Sequence, residues 1–218
     1  MSLYDEFGRR AGNELVVGSV DGGSISRVPV GPFIGPPAWS PDGTSLLVAR
    51  IVGSEPTDGT RPETDLFVIG LDGEVAERLT YGGASDPDWA ADGTIAFTRG
   101  GQIQLMRRGE GWRQLTWRGG SAPSWAPNAK RLAFVRDGQV WSVQADGRAP
   151  RRLTRRGGNS PAWSPDGRRI AFVRPGAEID GLWTMRADGN APRFTGQQGG
   201  PYGYSAIRDP AWQALAAR

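Results

Sequence analysis

A seven-residue phrase recurs along this chain at intervals that few folds can use. It reads Pro-Ala-Trp-Ser-Pro-Asp-Gly at 37–43 and at 161–167, and altered copies occupy 87–93 and 123–129. A shortened copy, Pro-Ala-Trp, ends the series at 210–212. The tryptophans of successive copies are 50, 36, 38 and 49 residues apart. A period of about 40 residues built on short strands is typical of a β-propeller, so the repeat predicts an all-β fold.

Each copy of the phrase opens a unit of four short strands, which we name A to D in chain order. Turn residues such as Pro165-Asp166-Gly167 end strand A, and apolar runs between turn signals supply strands B and C. We expect the tryptophan that ends each strand A to be a core wedge between blades. The repeat predicts complete four-stranded antiparallel blades at about 33–80, 83–116, 119–154 and 157–195.

The two ends of the chain hold the parts of one more blade. Residues 14–20 and 26–30 resemble strands C and D, and Asp209-Pro210-Ala211-Trp212 resembles a strand A. We therefore expect a single five-bladed β-propeller over 1–218, with a last blade composed of 205–218 and 1–30. Terminal strands that share a blade would protect sheet edges which otherwise invite aggregation. The source of strand B in this composite blade is left open.

One copy of the phrase departs from the turn rule. Ala129 follows Asn128 at the position where Gly43 and Gly167 follow an aspartate. Glycine adopts a positive φ without steric cost, whereas an L-residue there costs about 1–2 kcal/mol. The sequence therefore predicts a strained alanine in the A–B turn of the third blade.

Composition excludes several kinds of chemistry. The chain has no cysteine and no histidine, so disulfides, thiol nucleophiles, histidine triads and imidazole metal sites are absent. No apolar run approaches the roughly 18 residues of a membrane-spanning helix. We expect no membrane insertion and a monomer. The compartment is left open: cytoplasmic if the chain is whole, extracytoplasmic if a leader was removed.

The repeated phrase, with Ile170-Ala171-Phe172-Val173-Arg174 and the later Ala187-Asp188-Gly189, resembles the TolB-type, WD40-like propeller repeat. The resemblance covers nearly the whole chain. It implies a propeller; family members include propellers that bind protein partners and propellers attached to prolyl-oligopeptidase-like peptidases. The chain lacks a Gly-x-Ser-x-Gly elbow and any histidine, so the resemblance does not imply peptidase activity.

Variation in length falls on the connections from strand B to C and from strand D to A. Because these two types of connection share one face of a propeller, we expect this face to bind a protein or peptide partner. The candidate binding residues lie in the connections 51–64, 175–180 and 196–208. They are Glu55, Asp58, Arg61, Glu63, Glu178, Asp180, Tyr202, Tyr204 and Arg208.

Strand A is expected to line a central channel. Asp86, Ser160 and Asp209 each stand three residues before a phrase tryptophan, and carboxylates at a channel mouth suit a cation such as Ca²⁺. Solvated or turn-capping aspartates are the simpler interpretation, and we predict no cofactor and no dedicated metal site.

Two basic stretches occupy outer strands and adjoining turns. They comprise Arg107, Arg108, Arg113 and Arg118, and Arg148, Arg151, Arg152, Arg155 and Arg156. With Trp112 and Trp117 they form a pattern that attracts an acidic protein or nucleic acid. We expect no nucleic acid, because arginine on exposed outer strands also blunts sheet edges.

The sequence thus favours a non-catalytic scaffold that binds a protein or peptide. A lectin-like propeller that binds carbohydrate or a small ligand between blades is the alternative. A glycosidase is a third possibility, but it needs carboxylates that converge at defined separations, and only Asp86 and Asp209 are placed near the channel by register.

Overall fold

A computed structural model describes residues 14–18, 23–53, 62–176 and 180–198 of the 218-residue chain. Every regular element within these ranges is a β-strand. The described residues contain no helix long and apolar enough to cross a bilayer. The chain divides into two compact units, Met1–Pro87 and Asp88–Arg218.

The first unit contains a hairpin and a four-stranded antiparallel sheet. The hairpin pairs β1 (Glu14–Gly18) with β2 (Ile25–Pro29). The first sheet contains β3 (Phe33–Trp39), β4 (Ser45–Ile51), β5 (Thr64–Gly70) and β6 (Val75–Arg78), paired in that order. Val28 from the hairpin packs with Leu46, Val48 and Ile69 of the first sheet in one core cluster.

Three further sheets follow, each with four antiparallel strands paired in chain order. The second sheet begins in the last residues of the first unit and contains β7 (Ser85–Trp89), β8 (Ile95–Arg99), β9 (Gln102–Met106) and β10 (Trp112–Gln114). The third contains β11 (Ser121–Trp125), β12 (Arg131–Arg136), β13 (Gln139–Gln144) and β14 (Arg151–Arg152). The fourth contains β15 (Asn159–Trp163), β16 (Arg169–Arg174), β17 (Gly181–Arg186) and β18 (Arg193–Gln198).

The all-β class and the four-stranded antiparallel blades are confirmed. The strands fall inside the expected blade limits, except that β18 extends three residues beyond the predicted end of strand D at Thr195. The expected closure of a fifth blade depends on 205–218, which lies outside the described residues, and it stays a prediction. The hairpin β1–β2 matches the strands C and D assigned to that blade.

Apolar side chains fill the space between successive sheets of the second unit. Phe134 and Ile103 are fully buried in a cluster shared by the second and third sheets. Phe172 and Ile170 of the fourth sheet pack with Val140 of the third. Burial on both faces explains why strands B and C are continuous apolar runs rather than alternating ones.

The core-wedge interpretation of the phrase tryptophans is confirmed for Trp125 and wrong for Trp39. Trp125 is buried against Ala90 and Ala96, which belong to the inner part of the preceding sheet. Trp39 is 47% exposed. The hairpin before its own sheet supplies only the outer strands C and D, so the described residues contain no matching inner strand.

The aspartates of the Pro-Asp-Gly turns organise those turns. Asp42 Oδ1 accepts hydrogen bonds from the Ser40 hydroxyl at 2.6 Å and from the Thr44 amide at 3.0 Å. These bonds, with the Ser40 bond the largest cause, lower the pKa of Asp42 to about 2. Asp166 repeats the arrangement with Ser164 and the Arg168 amide. The repeated aspartate is therefore a turn residue.

Ala129 occupies the left-handed region with φ +56°, as the sequence predicts. Asn128 Oδ1 accepts the Lys130 amide at 3.0 Å, so the turn keeps the geometry of its aspartate copies. We expect Ala129→Gly to raise the free energy of unfolding by up to about 1 kcal/mol. Relief of about 1–2 kcal/mol of backbone strain outweighs the lost methyl packing and the greater freedom of unfolded glycine. Thermal unfolding of the two proteins tests this, and a lower Tm would contradict it.

Candidate functional site

The innermost strands carry a repeated irregularity at the positions expected to line a channel. Asp86, Ala122 and Ser160 all have positive φ, between 46° and 49°. Pairing of β11 with β12, and of β15 with β16, shifts at this point, so Ala122 and Ser160 lie in bulges. The Asp86 carboxylate accepts the Ser85 hydroxyl at 3.2 Å. The described residues contain no cluster of three acidic side chains able to hold a metal ion.

Most of the binding residues expected on the long loops lie outside the described residues. These are Glu55, Asp58, Arg61, Glu178, Tyr202, Tyr204 and Arg208, together with the channel candidate Asp209. Glu63 lies in the first unit, where it is exposed and its carbonyl accepts the Val52 amide at 2.9 Å. Asp180 lies in the second unit directly before β17 and is partly exposed.

The B–C and D–A connections of the second unit lie on one face, as expected. The Gly120 amide of a D–A connection donates to the Gly101 carbonyl of a B–C turn at 2.9 Å. The Gly158 amide makes the same bond to the Gly138 carbonyl, also at 2.9 Å. We name the surface formed by 100–101, 115–120, 137–138 and 153–158 the loop face.

The loop face presents one large aromatic side chain among arginines. Trp117 is 77% exposed and directly precedes Arg118. Arg155 and Arg156 occupy the equivalent positions in the next D–A connection, and both are exposed. Tryptophan and arginine are the residue types that most often dominate the binding energy of protein interfaces.

The arginine that ends strand B stacks on an aromatic ring in each complete sheet. Arg136 lies 5.0 Å from the centroid of Trp141, and its Nε donates to the Gly119 carbonyl at 3.0 Å. Arg174 lies 3.8 Å from the centroid of Trp183, but its Nε is buried without a hydrogen-bond partner. Burial lowers the pKa of both guanidinium groups below the usual value, and the charge of Arg156 adds to this for Arg174.

A groove of about 550 Å³ opens between the third and fourth sheets, which we name the lateral groove. One side is formed by β14 and the D–A connection after it, and the other by β17 and the turn that follows. Its lining includes five arginines and one ring: Arg151, Arg152, Arg155, Arg156, Arg174 and Trp183. The volume lies within the range of roughly 300–1,000 Å³ common for ligand sites.

A polar tie links strand C to strand D in each of the first three sheets. In the first sheet the Thr80 hydroxyl accepts the Leu66 amide at 2.8 Å and donates to Asp65 at 3.0 Å. Arg78 Nη2 donates to the fully buried Asp65 at 2.5 Å, and Arg78 Nε donates to the Thr80 carbonyl. Gln102 and Gln139 take the place of Asp65 in the next two sheets. These ties are structural, so they stand apart from the candidate site.

A second repeated contact joins neighbouring inner strands. Asp88 Oδ2 accepts the Trp125 amide at 2.5 Å, and the Ser124 hydroxyl accepts the Trp163 amide at 3.3 Å. Asp88 keeps some exposure as a residue, whereas protein atoms surround its carboxylate. This burial raises the pKa of Asp88 to about 6, against the opposing effect of the bonds from the Trp125 and Trp89 amides.

Sequence reasoning located the basic stretches but missed how the lateral groove is built. Arg174 and Trp183 are not among the site residues predicted from the sequence, yet they form the inner wall of the groove. An arginine at the end of every strand B, at 50, 99, 136 and 174, was the available signal. The stacking partner was harder to predict because it stands in strand C in one sheet and in strand D in another.

Solved structures with a similar fold include propellers of several kinds. TolB from Acinetobacter baumannii matches at 21% identity with a TM-score of 0.65, covering 83% of this chain and 48% of TolB. The acylaminoacyl peptidase of Pyrococcus horikoshii matches at 15% identity and a TM-score of 0.57, covering 83% and 35% of the two chains. The nidogen/laminin complex matches at 11% and 0.56, covering 70% and 61%. Such low identities establish the fold alone.

The chain thus spans about half the length of TolB. A comparison with curated proteins finds no match. The family model described as the TolB beta propeller domain matches residues 4–216, almost the entire sequence. The repeated phrase, the four antiparallel four-stranded sheets and this match agree, and the chain belongs to the TolB β-propeller domain family.

Proposed function

We propose that this chain is a non-catalytic scaffold that binds a protein partner through the loop face of its second unit. The observation that carries the proposal is Trp117, a large aromatic side chain held 77% exposed on a connection anchored by backbone hydrogen bonds. Exposing an indole to water is unfavourable, and such side chains are enriched at interfaces because one end is apolar and the other polar.

The charges around Trp117 support a protein partner with an acidic surface. Arg118, Arg155 and Arg156 are exposed, and none of them pairs with a carboxylate among the described residues. Unpaired guanidinium groups raise the rate of encounter with an acidic partner and form bidentate bonds to carboxylates. The connections 51–64 and 196–208 are a B–C and a D–A connection respectively. We propose that their candidate acidic and tyrosine residues also contribute to partner binding.

We expect Trp117→Ala to weaken partner binding by at least tenfold, because truncation of an interface hot spot typically costs about 2 kcal/mol or more. The measurement is the affinity of a partner recovered with the wild-type protein from the source organism. Trp112→Ala serves as the control, because Trp112 is a half-exposed tryptophan that lies on the outer strand β10.

Retention of full affinity by Trp117→Ala, or an equal loss in both variants, would contradict the proposed face. Both variants must keep the wild-type melting temperature for the comparison to count. Trp117 forms no side-chain hydrogen bond or ring contact with the described residues, so its replacement leaves the packed sheets intact.

A further inference from the structure

We propose that the lateral groove binds an acidic peptide segment in an extended conformation. The groove and the loop face share Arg155 and Arg156, whereas Arg151 and Arg152 line the groove alone and Trp117 belongs to the loop face alone. Five of its lining side chains are guanidinium groups, and its walls are the outer strand β14 and the strand β17. The inference stands on this geometry and does not depend on the proposed function.

Two equivalent clefts in the second unit differ in whether an arginine crosses them. Between the second and third sheets, Arg113 Nη2 reaches across and donates to the Ala145 carbonyl at 2.6 Å. Arg151 holds the equivalent position between the third and fourth sheets, where it lines the groove with Asp188, whose pKa its charge helps to lower after the Asn190 bonds. The first cleft is thus bridged by its own arginine, whereas the lateral groove stays open.

The lateral groove has more positively charged side chains than the bridged cleft. Gln114 and Trp117 of the bridged cleft correspond to Arg152 and Arg155 of the groove. Arg151, Arg152, Arg155 and Arg156 form no ion pair with any described carboxylate. Guanidinium groups gathered in a concave site repel one another unless an anion lies between them, so the groove is complementary to a ligand with several negative charges.

The inner wall of the lateral groove contains a buried donor atom without a hydrogen-bond partner. Arg136 Nε satisfies its hydrogen bond on the Gly119 carbonyl, whereas Arg174 Nε, in the equivalent position, is buried without a partner. Buried polar groups are normally hydrogen-bonded, and each exception calls for an explanation. Burial, and then the positive charge of Arg156, lower the pKa of the Arg174 guanidinium. An anionic group that enters the groove here would therefore lie beside two positive charges that repel each other.

The ring in the groove decides between classes of ligand. Nucleic-acid bases and sugars bind such proteins by stacking on open aromatic faces. Arg174 already covers one face of Trp183 at 3.8 Å, so this ring is not a free platform. The carboxylate of Asp188 also lines the groove, and hydrogen bonds from Asn190 followed by the charges of Arg186 and Arg151 lower its pKa. It offsets one of the positive charges of the groove and can accept amide hydrogens from a peptide backbone. These features favour carboxylate side chains on a peptide.

The test measures binding of labelled hexaglutamate to the full chain by fluorescence anisotropy, with hexaglutamine and a thymidine hexanucleotide as comparison ligands. The groove variant is Arg151→Gln and Arg152→Gln combined, which spares the stacked Arg174 and leaves the loop-face residues Arg155 and Arg156 unchanged. The control variant is Lys130→Gln and Arg131→Gln combined; it removes the same charge from exposed residues at the opposite end of the strands.

We expect saturable binding of hexaglutamate that the groove variant weakens at least tenfold and the control variant by less than twofold. Binding should also weaken between low and physiological ionic strength, because exposed charges are screened. Three results would overturn the proposal: no saturable binding, an equal loss in both variants, or tighter groove-dependent binding of the hexanucleotide. Because Trp117, Arg155 and Arg156 are unchanged in both variants, failure here leaves the loop-face proposal to its own test.

Discussion

Replacing Asp65 by alanine should lower the free energy of unfolding by about 2–3 kcal/mol, because it removes two hydrogen bonds to a buried carboxylate while the Arg78 side chain keeps partial access to water. Asp65 is fully buried and accepts hydrogen bonds from Arg78 and from the Thr80 hydroxyl. Its removal leaves the Arg78 guanidinium without its carboxylate and the Thr80 hydroxyl without its acceptor. Denaturant unfolding monitored by tryptophan fluorescence measures the loss.

The second sheet supplies the rescue for this variant. There Gln102 accepts the Thr116 hydroxyl at 3.1 Å, and Gln114 Nε2 donates to the Thr116 carbonyl at 2.8 Å. The double variant Asp65→Gln with Arg78→Gln would copy this neutral arrangement into the first sheet. We expect it to be at least about 1 kcal/mol more stable than Asp65→Ala, because neutral hydrogen bonds replace those that the alanine variant loses. A double variant as unstable as Asp65→Ala would show that the tie does not carry the stabilisation.

Acidification from pH 7.5 to pH 5 should increase stability through Asp88, by about 1.4 kcal/mol. The folded pKa of about 6 lies above the reference value of 3.8. The folded state therefore binds the proton more tightly than the unfolded chain. The stabilisation is fully present below the unfolded pKa and is lost as the pH rises through the folded pKa. For a domain of this size the expected change in Tm is about 3–5 °C.

Two substitutions isolate this effect. Asp88→Asn removes the titration and keeps an oxygen to accept the Trp125 amide. Asp88→Ser copies the neighbouring link, in which Ser124 accepts the Trp163 amide. Both variants should lose the Asp88 contribution to the pH dependence in this window. The turn aspartates Asp42, Asp92 and Asp166 have lowered pKa values. Their protonation therefore changes the stability only below about pH 4. Unchanged pH dependence in both variants would contradict a buried, titrating Asp88.

The repeat made the strands predictable because its turn chemistry and its apolar runs agree at every copy. Pro-Asp-Gly placed the A–B turns, and the hydrogen bonds of Asp42 and Asp166 show why that aspartate recurs. Strand D was less predictable. The predicted blades end at Thr80, Thr116 and Thr154, but β6, β10 and β14 each end two residues earlier. The threonine hydroxyl accepts a hydrogen bond from an amide of strand C, as Thr154 does from Val140.

The candidate site was predictable in its residue types more than in its geometry. The basic stretches and Trp117 were visible as sequence. The structure places Trp117 and Arg118 on the loop face and residues 151–156 along the lateral groove, whereas Arg107 and Arg148 lie beside Asp92 and Asp146. The difference between the bridged cleft and the open groove was not visible. It depends on whether an arginine side chain crosses to a carbonyl of the next sheet, as Arg113 does to Ala145. Long side chains have several rotamers of similar energy, so spacing alone does not decide this.

Site-specific photo-crosslinking tests the central claim, that the loop face of the second unit contacts a protein partner. A photoreactive residue replaces Trp117 in one variant and Arg168, at the opposite end of the strands, in another. Both variants are irradiated in the complex with the partner recovered by the wild-type protein. We predict that position 117 forms a covalent adduct with that partner and that position 168 forms none. An adduct from position 168 without one from position 117 would contradict the proposed binding face.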